Sequence, residues 1–360
     1  MNIRQSNVTY SSIVEIGERI SKLESETGDK YLKLHRGVMD VTHIDINSLH
    51  TFSDLNDKKT QQYSPNNGST ELINTIKKEF HLDDANIIIT PGGMAALDLI
   101  INSLNDETVW IPNYHWGSWN KILKTHDKKI NFFDDFNLQD FKPKDGIVML
   151  CFPSNPTGFS PKLDVIKNFL IYSKENNITV ILDLPYYHLF NKSNDGLSNY
   201  FYDNVIVLSS FSKSIGLSGY RIGYISTKNT ELFQTLKIRS LYKYNSISTL
   251  PQFIINDLLV EKNIVNEYKE NTKTHIQKNI EFLEKNKLLF DGYTEVPIGP
   301  FAVINIDFDT LLKYKISSVP LNKFTLIKNE KNDNYSRISV SVNHLSFLEY
   351  FIPLLEKNDA

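Results

Sequence analysis

The 360-residue chain contains a single cysteine, Cys151. One thiol cannot close an internal disulfide or supply a Cys-rich metal site, so no structural zinc is expected and a reducing compartment, the cytoplasm, is. A charge surplus is missing as well: 39 Lys and Arg stand against 42 Asp and Glu, for a formal net charge of -3. Without a long run of one sign there is no electrostatic footprint for a polyanion, and nucleic acid is not an expected partner. Nothing approaches the ~18 consecutive apolar residues of a membrane span. The opening MNIRQSNVTYSS has no apolar signal core, so no membrane association is expected. Internal repeats and low-complexity linkers are absent, and the Lys- and Asn-rich stretch 328–334 reads as a solvated loop.

What is present is an ordinary globular composition, 41% hydrophobic and 22% charged, in a chain long enough for about two domains or one large α/β domain. From about residue 85 to 210, short β-rich runs alternate with helical ones, the pattern of parallel strands joined by crossover helices. The runs 86–90, 108–111, 147–152, 178–182 and 205–208 are almost continuously apolar, as for strands covered on both faces. Between them Leu97, Ile100, Ile101 and Leu104 repeat at helical spacing, and Ser160-Pro161 signals a helix start before Ile166, Phe169 and Leu170. After about residue 250 the texture changes. Helical segments near 251–262 and 264–287 lead to β-like 301–306 and 337–342, then a helical tail, which predicts a smaller α+β domain.

In open parallel sheets ligands gather at the carboxyl ends of the strands, so the residues just after each apolar run belong together. The first run ends in Thr90-Pro91-Gly92-Gly93-Met94, where backbone N–H groups opening a helix can approach an anion; a plain tight turn is the competing reading. The third is followed by Ser154-Asn155-Pro156-Thr157-Gly158, either an Asn aimed into the crevice or only a turn. The fourth is followed by Asp183-Leu184-Pro185-Tyr186, either an acid and a phenol at a strand end or a cap and a packed ring. The fifth leads into Ser209-Ser210-Phe211-Ser212-Lys213 and on to Arg221. A lysine among small hydroxyl residues is in the setting of a Schiff-base amine, and Arg221 with Ser210 and Ser212 suits a phosphate beside it.

Together these motifs resemble the pyridoxal-phosphate-dependent class I and II aminotransferases of fold type I, over most of the chain. Asn155 precedes Asp183 by 28 residues, Lys213 precedes Arg221 by 8, and Ser210 precedes Lys213 by 3, intervals similar to the family's. The resemblance implies a large domain over 45–255 with a mostly parallel seven-stranded sheet flanked by helices. It also implies a small α+β domain built from 1–44 and 256–360. The cofactor implied is pyridoxal 5'-phosphate, and the reaction moves an amino group from an L-amino acid to a 2-oxo acid through a Lys213 aldimine and the pyridoxamine form.

By the same resemblance Lys213 is the aldimine lysine and proton carrier, Asp183 the partner of the pyridine nitrogen, and Asn155 and Tyr186 the pair on the ring's phenolic oxygen. Gly92, Gly93, Met94, Ser210, Ser212 and Arg221 fall where the phosphate is held, Met94 standing where the family often has a hydroxyl. Within 109–119, Trp116 falls where an aromatic stacks on the ring and Trp119 on the substrate side, with Tyr114 as the alternative stacking residue. Arg337, in Ser336-Arg337-Ile338-Ser339, resembles the clamp for the substrate α-carboxylate, a role suited to a planar fork. Gly37 is similar to the small residue the substrate slides past.

Tyr63, in Tyr63-Ser64-Pro65-Asn66-Asn67-Gly68, resembles the tyrosine that reaches the neighbouring subunit's phosphate, implying a homodimer with shared active sites. Arg239 falls near a second arginine that reads a side-chain carboxylate across the dimer; an exposed helix arginine is the other reading. Trp116, Trp119, Tyr242 and Tyr244 suit an aromatic or imidazole side chain equally. The stretch 216–221 resembles the histidinol-phosphate branch, whose Asn-Glu-Asn-Pro motif is missing here. A decarboxylase or β-lyase on the same scaffold is the alternative chemistry, and a non-catalytic cofactor-binding module the alternative class.

Overall fold

The computed structural model of the chain describes residues 6–47, 49–53, 58–191 and 195–356. Its strands are β1 (Leu32–Lys33), β2 (Asn86–Thr90), β3 (Thr108–Pro112), β4 (Lys129–Phe133), β5 (Ile147–Cys151) and β6 (Thr179–Asp183). They continue with β7 (Val205–Ser210), β8 (Gly223–Thr227), β9 (Phe301–Ile304), β10 (Ile316–Ser317), β11 (Val319–Pro320) and β12 (Ser336–Ser339). Among the described residues, seven strands form one sheet in the order β2-β8-β7-β6-β5-β3-β4. All neighbours are parallel except β8, which runs antiparallel to both β2 and β7.

The apolar runs explain this architecture residue by residue. Along β5, Ile147 and Met149 join one hydrophobic cluster while Val148 and Leu150 join another. Ile181 is likewise separated from Val180 and Leu182 on β6, as is Ile206 from Val205 and Val207 on β7. A period of two therefore feeds two cores, one on each face of the sheet. Helices Gly93–Ile101, Gly117–Thr125 and Thr230–Tyr244 cover one face through residues such as Leu97, Leu123 and Leu236. Helices Thr70–Phe80, Leu163–Glu175 and Thr249–Val260 cover the other through Ile76, Phe169 and Leu258.

A third cluster gathers Leu34 of the N-terminal segment, Phe301 and Ile338 of the antiparallel sheet β11-β12-β9, and Ile280 and Phe347 of the helices Lys262–Lys285 and His344–Glu356. Two strands of the large sheet, β4 and β8, lie outside the five apolar runs of the sequence. Among the described residues no helix is long and apolar enough to cross a membrane.

Candidate active site

Three parallel strands end side by side. Cys151, the last residue of β5, is in register with Asp183, the last of β6, and β7 ends one strand further on at Ser210. The chain must leave each strand there, so their side chains open onto a cavity of about 320 Å³. From the sheet ends come Cys151, Asp183, Ser210, Ser212 and Lys213; from the loops Asn155, Pro185, Tyr186 and Arg221; from the helix starts Gly93, Met94, Trp116 and Ser118. The small sheet contributes Arg337, and the N-terminal segment Ser11, Ile13 and Gly37.

Electrostatics separates these groups. Burial, reinforced by the guanidinium groups of Arg337 and Arg221, lowers Lys213 to about 8, and its ammonium hydrogen-bonds the Gly37 carbonyl. Burial raises Asp183 to about 7 against the opposing hydrogen bond from Trp119. The Tyr186 phenol is pushed up chiefly by burial, with the Asn155 side chain hydrogen-bonded to it. Arg337 is fully buried: its Nη2 donates to the His35 carbonyl at 2.8 Å, and its guanidinium lies over Phe301 and Phe324 at 4.5 and 5.0 Å. Nε and Nη1 have no partner, and burial lowers the group to about 9.

At the other end, Ser210 Oγ accepts from the Ser212 N–H at 3.2 Å, and Arg221 Nη1 donates to the Ser218 carbonyl at 2.8 Å and reaches Ser212 Oγ at 3.4 Å. Helix Gly93–Ile101 starts here with no side-chain cap, so its first N–H groups are free for an anion. Gly92 sits behind Arg221 at φ +89°, and a Cβ there would lie 2.6 Å from Arg221 Nη2, so glycine leaves room for the guanidinium.

Besides Gly92, behind Arg221, three of the expected residues lie outside the cavity. Trp119 is a correction: instead of lining the substrate side it is 1% exposed, packed among Val109, Leu123 and Ile181, and donates from Nε1 to Asp183 Oδ2 at 2.9 Å. The helix that begins at Gly117 carries it one turn inward from Trp116, under the cavity rather than into it. Tyr63 is 84% exposed and Arg239 is exposed on helix Thr230–Tyr244, both outside this cavity of the single chain. Tyr114, the alternative to Trp116, points its hydroxyl at Asn332 Oδ1, 3.1 Å away.

Sequence reasoning missed Cys151, Ser11, Ile13, Ser118, Pro185 and Ser218 as lining residues. Cys151 and Pro185 were findable as residues at or just after strand ends. No signal marks Ser11 and Ile13, which come from a distant part of the chain.

The family model for aminotransferase class I and II matches residues 30–340. The chain belongs to that family. A probable aspartate aminotransferase of Methanocaldococcus jannaschii is 30% identical over 221 residues, 55% of this chain and 59% of that protein. A histidinol-phosphate aminotransferase of Clostridium novyi is 28% identical over 221 residues, 56% of this chain and 58% of that one. The matched part thus spans about three fifths of each relative's length. Aspartate aminotransferase from Thermus thermophilus with maleate superposes with a TM-score of 0.82 at 18% identity, covering 98% of this chain and all of that one, a likeness of fold.

The residues lining this cavity have the chemistry to hold a phosphate-bearing aldehyde such as pyridoxal phosphate. Asn155 Oδ1 and two donors of Arg337 are buried without partners, Lys213 is shifted toward its reactive neutral form, and the Gly92–Arg221 cradle leads to free helix N–H groups.

Proposed function

We propose that the chain is a pyridoxal-phosphate-dependent aminotransferase that moves an amino group from an L-amino acid to a 2-oxo acid. One observation carries the reading: a half-buried lysine of depressed pKa and a fully buried arginine with two unpartnered N–H directions line the same cavity. An amine near neutrality both condenses with a carbonyl and shuttles protons, and a guanidinium fork fits a carboxylate.

In this reading Arg337 binds the substrate carboxylate, and Lys213 holds and moves the proton at the substrate's amine-bearing carbon. Asp183 keeps a negative oxygen against the ring nitrogen, Asn155 and Tyr186 hydrogen-bond the ring oxygen, and Trp116 covers the ring. Gly92 and Gly93, with Met94, Ser210, Ser212 and Arg221, hold the phosphate, and Gly37 lets the substrate pass. The cofactor, when bound, supplies the electron-withdrawing ring that drains charge from the substrate carbon.

The proposal includes a division into 45–255 and the paired segments 1–44 and 256–360, supported by the third hydrophobic cluster, whose buried members other than Tyr186 and Leu189 all come from the paired segments. It also includes a homodimer in which Tyr63 and Arg239 serve the neighbouring site. The Tyr63 loop is tied to helix Thr230–Tyr244 by Asn66 Nδ2 to the Lys237 carbonyl at 2.8 Å, and that helix exposes Ile238, Leu241 and Tyr242. An exposed apolar group of this kind supports self-association. A reducing cytoplasm as its compartment rests on one cysteine in 360 residues.

The test is an absorbance titration of the cofactor-loaded protein with L-amino acids added one at a time. Loss of the visible band with one equivalent of 2-oxo acid is the expected result, and the responding donor names the side-chain preference. A band that no amino acid converts, or no band at all, overturns the proposal.

A further inference from the structure

Asp183 is a carboxylate with little company. It is 6% exposed, and the forces on it are burial, which favours the neutral acid, and one hydrogen bond, from Trp119 Nε1 to Oδ2 at 2.9 Å. An indole nitrogen can only donate; it neither accepts nor exchanges a proton in the neutral range. Such a partner stabilises the ionised acid and fixes one of its two oxygens. The Trp119 ring is itself held among Val109, Ile111, Leu123 and Met149, so the donor cannot swing away.

We propose that Trp119 is a positioning residue for the cofactor: its N–H pins Asp183 Oδ2 so that the second carboxylate oxygen is presented, charged and correctly turned, to the pyridine nitrogen. This rests on the reading of Asp183 as the ring-nitrogen partner given above. Hydrogen bonds to charged groups are the strong ones, so deletion of a single N–H is enough to be measured.

The experiment compares binding of pyridoxal phosphate and of its 1-deaza analogue, in which a C–H replaces the ring nitrogen, to the apo protein by equilibrium dialysis. Trp119→Phe keeps an aromatic ring in the core and removes the donor. The expected result is about tenfold weaker binding of pyridoxal phosphate with the deaza analogue within twofold of wild type. Equal losses for both compounds reduce Trp119 to packing and overturn the proposal, as does no loss for either.

If Trp119→Phe does not fold, a chain with benzothienylalanine at 119 keeps the shape of tryptophan and replaces only the N–H by sulfur, and the same comparison decides. Wild-type protein that binds both compounds equally sinks instead the underlying assignment of Asp183. That outcome is distinguishable, because it appears before any variant is made.

Discussion

Arg337 and Phe301 are stacked, the guanidinium carbon 4.5 Å from the ring centroid, and the edge of that ring is what confines Gly37. A Cβ at position 37 would stand 2.8 Å from Phe301 Cζ, a contact that one of the two must give up. Gly37→Ala therefore shifts Phe301 and with it the surface on which Arg337 rests. Overpacking of this kind costs about 1–3 kcal/mol. The expected outcome is a lowered unfolding midpoint together with a KM for the amino acid raised about tenfold and a smaller change in kcat. Unchanged KM with normal stability would show that Phe301 does not carry the position of Arg337.

Arg337 sets stability against function in the opposite sense. A buried cation with two unpartnered donors is a cost to the ligand-free protein, and replacing such a charge by an apolar side chain gains about 1–4 kcal/mol. Arg337→Met is expected to unfold at higher urea than wild type in the apo form while losing turnover. Arg337→Lys keeps the charge but not the fork, and its KM rises about 10- to 100-fold. An Arg337→Met protein less stable than wild type would mean that the guanidinium stabilises the fold.

How far the sequence alone reached can be traced through particular residues. The strands β5, β6 and β7 were legible because burial on both faces leaves no polar position to interrupt Val180-Ile181-Leu182 or its neighbours. The edge strand β4 was not, since Lys129 and Asn131 in Lys129-Ile130-Asn131-Phe132-Phe133 break the run. Nor was β8, whose buried Ser226 and Thr227 read as polar although strands on both sides cover them. At the site, spacing at strand ends was enough to bring Asn155, Asp183, Lys213 and Arg221 to one cavity. Depth was not encoded. Trp116 caps helix Gly117–Thr125 from an extended backbone while Trp119 lies in its first turn, and only the packing of that helix against β4 and helix Gly93–Ile101 decides that one meets the cavity and the other lies under it.

Asp183 makes the apo protein sensitive to pH in a direction that can be worked out. Burial holds its folded-state value at about 7, well above the ~3.9 of an unfolded chain, so the folded state prefers the protonated acid. Its penalty is absent below pH ~4, grows between ~4 and ~7, and is complete above, where it amounts to roughly 4 kcal/mol. Apo wild type should therefore lose urea stability relative to Asp183→Asn as pH rises from 4.5 to 8. Two parallel stability curves across that window would mean that Asp183 is not the titrating group.

Lys213 gives the kinetic counterpart. Burial beside Arg337 and Arg221 moves its amine to about 8, so the neutral, nucleophilic fraction is appreciable near neutrality instead of only near the ~10.4 of a free lysine. Below its pKa that fraction grows about tenfold per pH unit and then saturates. The rate at which the apo protein develops a visible band after mixing with pyridoxal phosphate should rise about tenfold from pH 6 to 7 and level off above about 8. Lys213→Ala should show neither the shifted band of the lysine-bound cofactor nor turnover at any pH, while still retaining the cofactor non-covalently in dialysis through Arg221 and the hydroxyls of Ser210 and Ser212. A flat rate from pH 6 to 9 would mean that the attacking amine is already neutral at pH 6 or is not Lys213, and the alanine variant separates the two, because only in the second case does the band survive.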